Sequence, residues 1–366
     1  MGNASCGVKN EYNSLFGNPA NLGHTRTNVF SSLVNMRGLQ IRDGNAGSLH
    51  MAWFPTQFGL TIPTGTIGSA AFAFQRTHDV TVKFRQSIPY FRTYQSIDSI
   101  SAGISQNGGA RVWSAGYGLS HTRYSVGLAY KRLSFTKDST HIKNAFTSPF
   151  DGEHGTWQRT VKDSTNIEGT FNGIDFGAMV DILPSLTVGA NVTVYTETEA
   201  HLHRMYYKAS DTLASTRTNA TISLPPQGGI GLSYRRTPHL TAAADIRITA
   251  WNRAETAGLL PAATREYATA LHAGVDYTPS PEVLSPAYWQ IMHYRGGFAI
   301  SQLPRSGHVS QYISLGVGMP LRVLGSVDVS CEIGRRIAEE YSLNERFVTL
   351  SVGINTSQTW HSTGND

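Results

Sequence analysis

Over most of the chain apolar and polar residues alternate with a period of two, the pattern of strands whose two faces meet different surroundings. Leu186, Val188, Ala190, Val192 and Val194 are separated by Thr187, Gly189, Asn191 and Thr193. Ile174, Phe176, Ala178, Val180 and Ile182 enclose Asp175, Gly177, Met179 and Asp181, which puts charge on one face only. The rule returns at Leu240, Ala242, Ala244, Ile246 and Ile248 against Asp245, Arg247 and Thr249, and at Val348, Leu350, Val352 and Ile354. It also covers residues 113–119, 124–130, 271–277, 313–319 and 327–333.

Two features decide which environment each face meets. The polar face carries charges together with Gly116, Gly118, Gly274, Gly316 and Gly318, a composition suited to a crowded, hydrated lumen. Aromatic residues gather where apolar stretches end, as at Trp251, Tyr267, Tyr277 and Tyr294, the places an interfacial girdle occupies. The expected fold is therefore all-β, an antiparallel transmembrane β-barrel of about 14 strands, within a range of 12–16. A water-soluble β-protein would instead turn the same apolar faces into a core.

Turn residues supply an orientation. Short turns are expected near Thr122, at 183–185, at 237–239 and at 320–323, and bacterial barrels keep such turns periplasmic. The polar stretch 137–168 reads as the largest outer loop, and 197–218 as strands that continue beyond the lipid before turning. Residues 29–41 and 48–54 are the least regular strand candidates. Pro225 and Pro226 remove ladder hydrogen bonds and mark a candidate wall kink.

Composition agrees with this picture. Charged residues are 15% of the chain and apolar ones 40%, with 36 Gly, 16 Tyr, 15 Phe and 6 Trp. No apolar run approaches the roughly 18 residues a spanning helix needs, so a crossing must be made with strands. The net charge of +5 is spread without a basic run, which argues against nucleic acid as a partner. Cys6 and Cys331 lie at opposite ends of the sequence and are read as free thiols. The opening residues lack a signal-peptide pattern, so the expectation is a leader already removed or a true start further upstream.

Candidate chemistry is sparse. His201 and His203 share one strand face, but no further ligands are spaced to complete a metal set, so no metal and no cofactor is expected. Ser120 and His121 are adjacent and point to opposite faces, the wrong arrangement for a nucleophile and its base; no enzyme activity and no catalytic residues are expected. Asp245 and Arg247 are candidates for a lumen charge pair with neighbouring strands.

Ahead of the strands lies a segment without alternation, containing Asn18, Pro19 and Ala20. With Pro225 to Arg235, Asp245 to Trp251 and Tyr294 to Phe298, it resembles the outer-membrane long-chain fatty-acid and hydrocarbon transporters of the FadL/TodX type, whose N-terminal hatch carries an Asn-Pro-Ala motif. The resemblance implies a hatch over 1–27, cut short at Met1, a barrel over 28–357 and a tail over 358–366. It implies transport of a hydrophobic small molecule (a long-chain fatty acid, alkane or aromatic) bound inside the hatch-plugged barrel. Outer-membrane lipid and lipopolysaccharide would surround it in the cell outer membrane. The alternative is a related barrel acting as a surface protein-binding or secretion-associated component with protein partners still to be identified.

Overall fold

Alternation becomes strand at every position named above in the computed structural model. The structure describes residues 4–9, 15–43, 46–65, 68–79, 82–92, 96–149, 157–208, 211–255, 265–280, 286–302, 308–321, 325–338 and 343–358. The first strand segments are β1 (Asn28–Asp43), β2 (Ala46–Pro63), β3 (Gly68–Asp79), β4 (Val82–Arg92), β5 (Ser96–His121) and β6 (Tyr124–Pro149). There follow β7 (Trp157–Leu183), β8 (Leu186–Tyr195), β9 (Thr198–Lys208), β10 (Asp211–Ile222), β11 (Gln227–Thr237) and β12 (Leu240–Ala250). The last are β13 (Tyr267–Tyr277), β14 (His293–Gln302), β15 (His308–Leu321), β16 (Gly325–Ala338) and β17 (Leu343–Gln358). No helix among the described residues is long and apolar enough to cross a membrane.

Seventeen segments make fourteen staves, because three pairs are halves of one interrupted strand. β3 and β4 both pair with β5; β8 and β9 both pair with β7; β11 and β10 pair with β8 and β9 respectively. Every pairing is antiparallel, and β1 pairs with β17 from Asn28 opposite Gln358 to Asp43 opposite Leu343, which closes the cylinder. The irregular candidates at the start are full strands, β1 and β2, held in register by this closure.

The alternating faces fall as a membrane barrel requires. Phe176 is 48% exposed and Leu350 45%, while their neighbours Asp175 and Thr349 are 0% and 7% exposed. Greasy side chains therefore point outward and polar ones inward, the inverse of a soluble sandwich. Tyr267 lies at one end of the 11-residue β13, and Tyr277, opposite Tyr294, at the other. At ~3.3 Å per residue and a ~40° tilt the aromatic rows stand about 25 Å apart, the height of an outer-membrane apolar band.

Both ends of the barrel wall, Asn28 and Gln358, lie at the same rim as the turns at 122–123, 184–185 and 238–239, which makes that rim periplasmic. The turn at 237–239 is where the sequence places it; of that at 320–323, Pro320 and Leu321 end β15 and 322–323 lie outside the described residues.

At the opposite rim the structure corrects an expectation. Residues 137–149 and 157–168 are not a loop: β6 and β7 stay in register from Tyr124 opposite Val180 to Thr147 opposite Trp157. β7 has 27 residues where about 10 suffice to cross lipid at a tilt, so it runs some 50 Å further along its axis. With β5, β6, β9 and β10 it forms a tall wall above the membrane, whereas β12 and β13 have 11 residues each. Above the lipid no apolar band imposes alternation on the outer face, which is why the sequence reads as loop.

Candidate functional site

The lumen at the periplasmic end is filled by the N-terminal segment. Pro19–His24 form a 3-10 turn started by Asn18, whose Oδ1 accepts from the Ala20 N–H at 3.0 Å while Pro19 supplies the first helical position. The other end of the Asn18 amide donates to the carbonyls of Cys6 (2.8 Å), Ala190 (3.2 Å) and Ala178 (3.3 Å). One buried side chain thus ties the turn, the first hatch segment and two staves together. Asn21 donates to the Val8 carbonyl at 3.0 Å, and Leu15 and Leu22 pack against Ala73 and Ala129 of the wall.

Close approach requires glycine at the seat. A Cβ at Gly127 would fall on the Pro19 carbonyl, at Gly177 on the Asn18 amide oxygen, and at Gly189 on the Cys6 carbonyl. Gly116 and Gly118, noted in the sequence as lumen residues, face Leu15 and Leu22.

The second anchor is Asp245 on β12, 5% exposed. Its Oδ2 accepts from the backbone N–H of Ser5 (2.8 Å) and Cys6 (3.3 Å), and its Oδ1 meets His272 Nδ1 at 2.7 Å. Arg247 lies 3.5 Å from the same carboxylate and donates to Ser5 Oγ at 2.7 Å. The pair read from the sequence is therefore shared with the hatch as well as with the neighbouring strand. Ser233 donates to the Gly7 carbonyl (2.8 Å), Ser69 to the Leu22 carbonyl (2.6 Å), and Lys9 meets Asp181 at 2.6 Å. Across the lumen, His293, Asp276, Arg295, Asp328 and Asn355 form one polar ladder along β13 to β17.

Burial in this seat shifts the hatch's own titrating groups. The Cys6 thiol is pushed up to about 11 by desolvation, against the pull of Arg247, so the seated thiol is a poor nucleophile at neutral pH. Desolvation pushes the His24 imidazole down to about 4 from its ordinary 6.5, with Lys9 adding to the effect. The seated hatch therefore binds fewer protons than the released one, and seating is at full strength above pH 6.5 and weakens as pH falls toward 4. Hydrogen exchange over residues 15–25 is expected to show lower protection at about pH 4.5 than at about pH 7, and His24→Asn to flatten that difference.

Pro225 and Pro226 lie in the break between β10 and β11, beside the break between β8 and β9. Around this break Ser223 N–H donates to the Glu255 carbonyl at 2.9 Å, Ala250 N–H to the Pro226 carbonyl at 3.0 Å, and Thr198 Oγ1 to the Thr170 carbonyl at 2.7 Å. Hydrogen bonding thus continues past the kink. His201 meets Asn219 and His203 meets Ser215, and no group of three metal-binding side chains stands together among the described residues. Ser120 accepts from Arg26, and His121 stacks on Tyr124.

Two features were not read from the sequence. One is an apolar cluster where both staves break: Phe171, Ala200 and Ile222, with Leu133, Phe135, Tyr195 and Leu224 against them. The other is an outward aromatic group of Phe58, Phe72, Phe74 and Trp113, with centroids 4.7–6.2 Å apart. Register alone brings the members of each together.

Solved structures with this architecture include a Pseudomonas aeruginosa FadL homologue, 11% identical, with a TM-score of 0.66 over 98% of this chain and 96% of that one. The Ralstonia pickettii toluene transporter TbuX is 12% identical, with a TM-score of 0.64 over 98% and 96%. The P. putida toluene transporter TodX is 13% identical, with a TM-score of 0.63 over 99% and 97%. Identities this low show the fold alone: a 14-stranded outer-membrane barrel of the FadL kind. No curated protein matches the chain. The resemblance read from the sequence therefore holds for architecture, while family is decided by a family model described as BamG, which matches residues 1–364. The chain belongs to the BamG family.

Proposed function

We propose that this barrel is an accessory, protein-binding component of the outer-membrane protein assembly machinery, with no chemistry of its own. Membership of the BamG family over 1–364 carries the reading. Three structural features support it. The hatch is bolted to the wall by Asn18 and Asp245; the tall wall of β5, β6, β7, β9 and β10 stands clear of lipid on the outer side; and an aromatic group faces outward. Aromatic residues offered on a rigid surface are favoured anchors for a protein partner. On this reading the hatch is a fixed plug that keeps the lumen closed.

Transport of a hydrophobic small molecule is the second reading. It is favoured by the fold shared with toluene transporters and by the interior apolar cluster around Phe171. The two are separated by tagging the chain at its native locus and purifying it from detergent-solubilised outer membrane. The proposal expects the central subunit of the assembly machinery to co-purify in near-equal amount, and purified chain in liposomes to give no toluene or fatty-acid flux above protein-free vesicles. A chain that purifies alone and carries such flux would establish transport instead.

A further inference from the structure

The outer face of the short wall, away from the hatch and from the tall side, carries an arrangement that neither reading uses. At its upper rim Gln311, Arg335, Arg346 and Gln40 are successive cross-strand partners on β15, β16, β17 and β1. Two residues nearer the periplasm the corresponding row is Phe298, Ile313, Ile333, Val348 and Gly38. A row of two guanidinium groups thus sits directly on top of an apolar row.

Like charges placed directly opposite across strands repel. Arg335 and Arg346 are both exposed, and among the described residues neither meets a carboxylate; Arg335 is held by the side-chain oxygen of Gln311. The nearest acid on these strands, Glu345, points the other way and meets Arg336 at 3.5 Å. Beneath the pair the wall is hollowed. A Cβ at Gly38 would find only the Val348 carbonyl oxygen, at 3.9 Å, and a concavity of about 850 Å³ is lined by Leu49, Phe298, Ile313, Ile333 and Val348. A second one, of about 530 Å³, continues downward past Gly296, Leu315 and Cys331.

A paired guanidinium clamp matches a phosphate, and a greasy trough directly below it matches an acyl chain. The clamp stands at the rim remote from the termini, in the outer leaflet, where the phosphorylated lipid of a Gram-negative outer membrane is lipopolysaccharide. We propose that this face binds one lipopolysaccharide molecule, with a lipid A phosphate between Arg335 and Arg346 and an acyl chain over Gly38. A seated anion offsets the repulsion between the two guanidinium groups.

The test is native mass spectrometry of the purified, detergent-exchanged full chain titrated with lipid A. Wild type is expected to retain one lipid A, dephosphorylated lipid A to bind at least tenfold more weakly, and phosphatidylglycerol not to displace it. The double variant Arg335→Glu, Arg346→Glu is expected to lose the adduct by at least tenfold. Should that double variant fail to fold, Gly38→Leu, which fills open space on the lipid side, is expected to lose it with both arginines intact. Undiminished binding by whichever of these variants folds, or equal displacement by phosphatidylglycerol, would overturn the proposal.

Discussion

Asp245→Ala is expected to release the first hatch segment from the wall. That carboxylate is buried and answers two backbone N–H groups of the hatch, His272 and Arg247 at once. Removing one partner from a buried charge network costs about 3–5 kcal/mol, because the groups left behind are neither solvated nor paired. A loss of that size raises the released population by on the order of 100-fold or more. Cys6 reports the change, since its thiol is buried and held in the unreactive form while seated. In a Cys331→Ser background, maleimide labelling of Cys6 is expected to accelerate by the same factor. Asp163→Ala is the control. Its ion pair with Arg204 lies on the exposed tall wall and does not touch the hatch, so labelling should stay unchanged.

Gly189→Val is expected to have a larger effect, because it removes room instead of an attraction. A side chain at 189 must occupy the position of the Cys6 carbonyl, whose neighbours Gly7 and Gly231 leave no slack. Main chain cannot give way as a flexible side chain can, so the segment 4–9 is expected to leave the seat altogether. The barrel itself should survive. Position 189 faces the lumen, and its strand partners Met179 and Gly231 keep their ladder bonds. Planar-bilayer recordings should show a stable ion conductance in the variant and none in wild type, with heat-modifiable gel mobility unchanged between the two.

The barrel was legible in the sequence because lipid imposes a rule on each residue separately. Val192 and Val194 must face outward and Thr187 and Thr193 inward whatever their neighbours do, so the pattern survives in one dimension. The stave number does not follow from counting such segments alone, because β1 and β2 alternate poorly yet are full strands and three staves are each broken into two segments. The tall wall was misread for the same reason: above the lipid no apolar surroundings force residues 137–149 to alternate, although β6 and β7 stay paired there.

The seat was only half legible. Asn18, Pro19 and Ala20 stand out as a motif, and their local role, starting a turn, follows from residue type. What the Asn18 amide grips, the carbonyls of Ala178 and Ala190, lies 160 and 172 residues away, and the Asp245 contacts to Ser5 and Cys6 span 240 and 239. No local pattern encodes such distances. Asp245 could be placed on the lumen face, but its second partner could not be foreseen. Function was least legible, since one barrel architecture serves unrelated tasks and the features that separate them lie in the hatch and the outer surface.

A hatch that works as a fixed plug should tolerate being locked in place, and a disulfide can hold it there. A Cβ at Gly229 would stand 2.9 Å from Cys6 Sγ, close to the roughly 3 Å that separates a Cβ from the far sulfur across a disulfide. Gly229→Cys in the Cys331→Ser background should therefore oxidise to an intramolecular link between residues 6 and 229. The decisive measurement is whether cells carrying only the locked chain still assemble outer-membrane proteins and keep the machinery bound to it. Levels equal to those of the reduced chain are expected. Loss of that support on oxidation, restored by reductant, would contradict a fixed plug and make hatch movement part of the function.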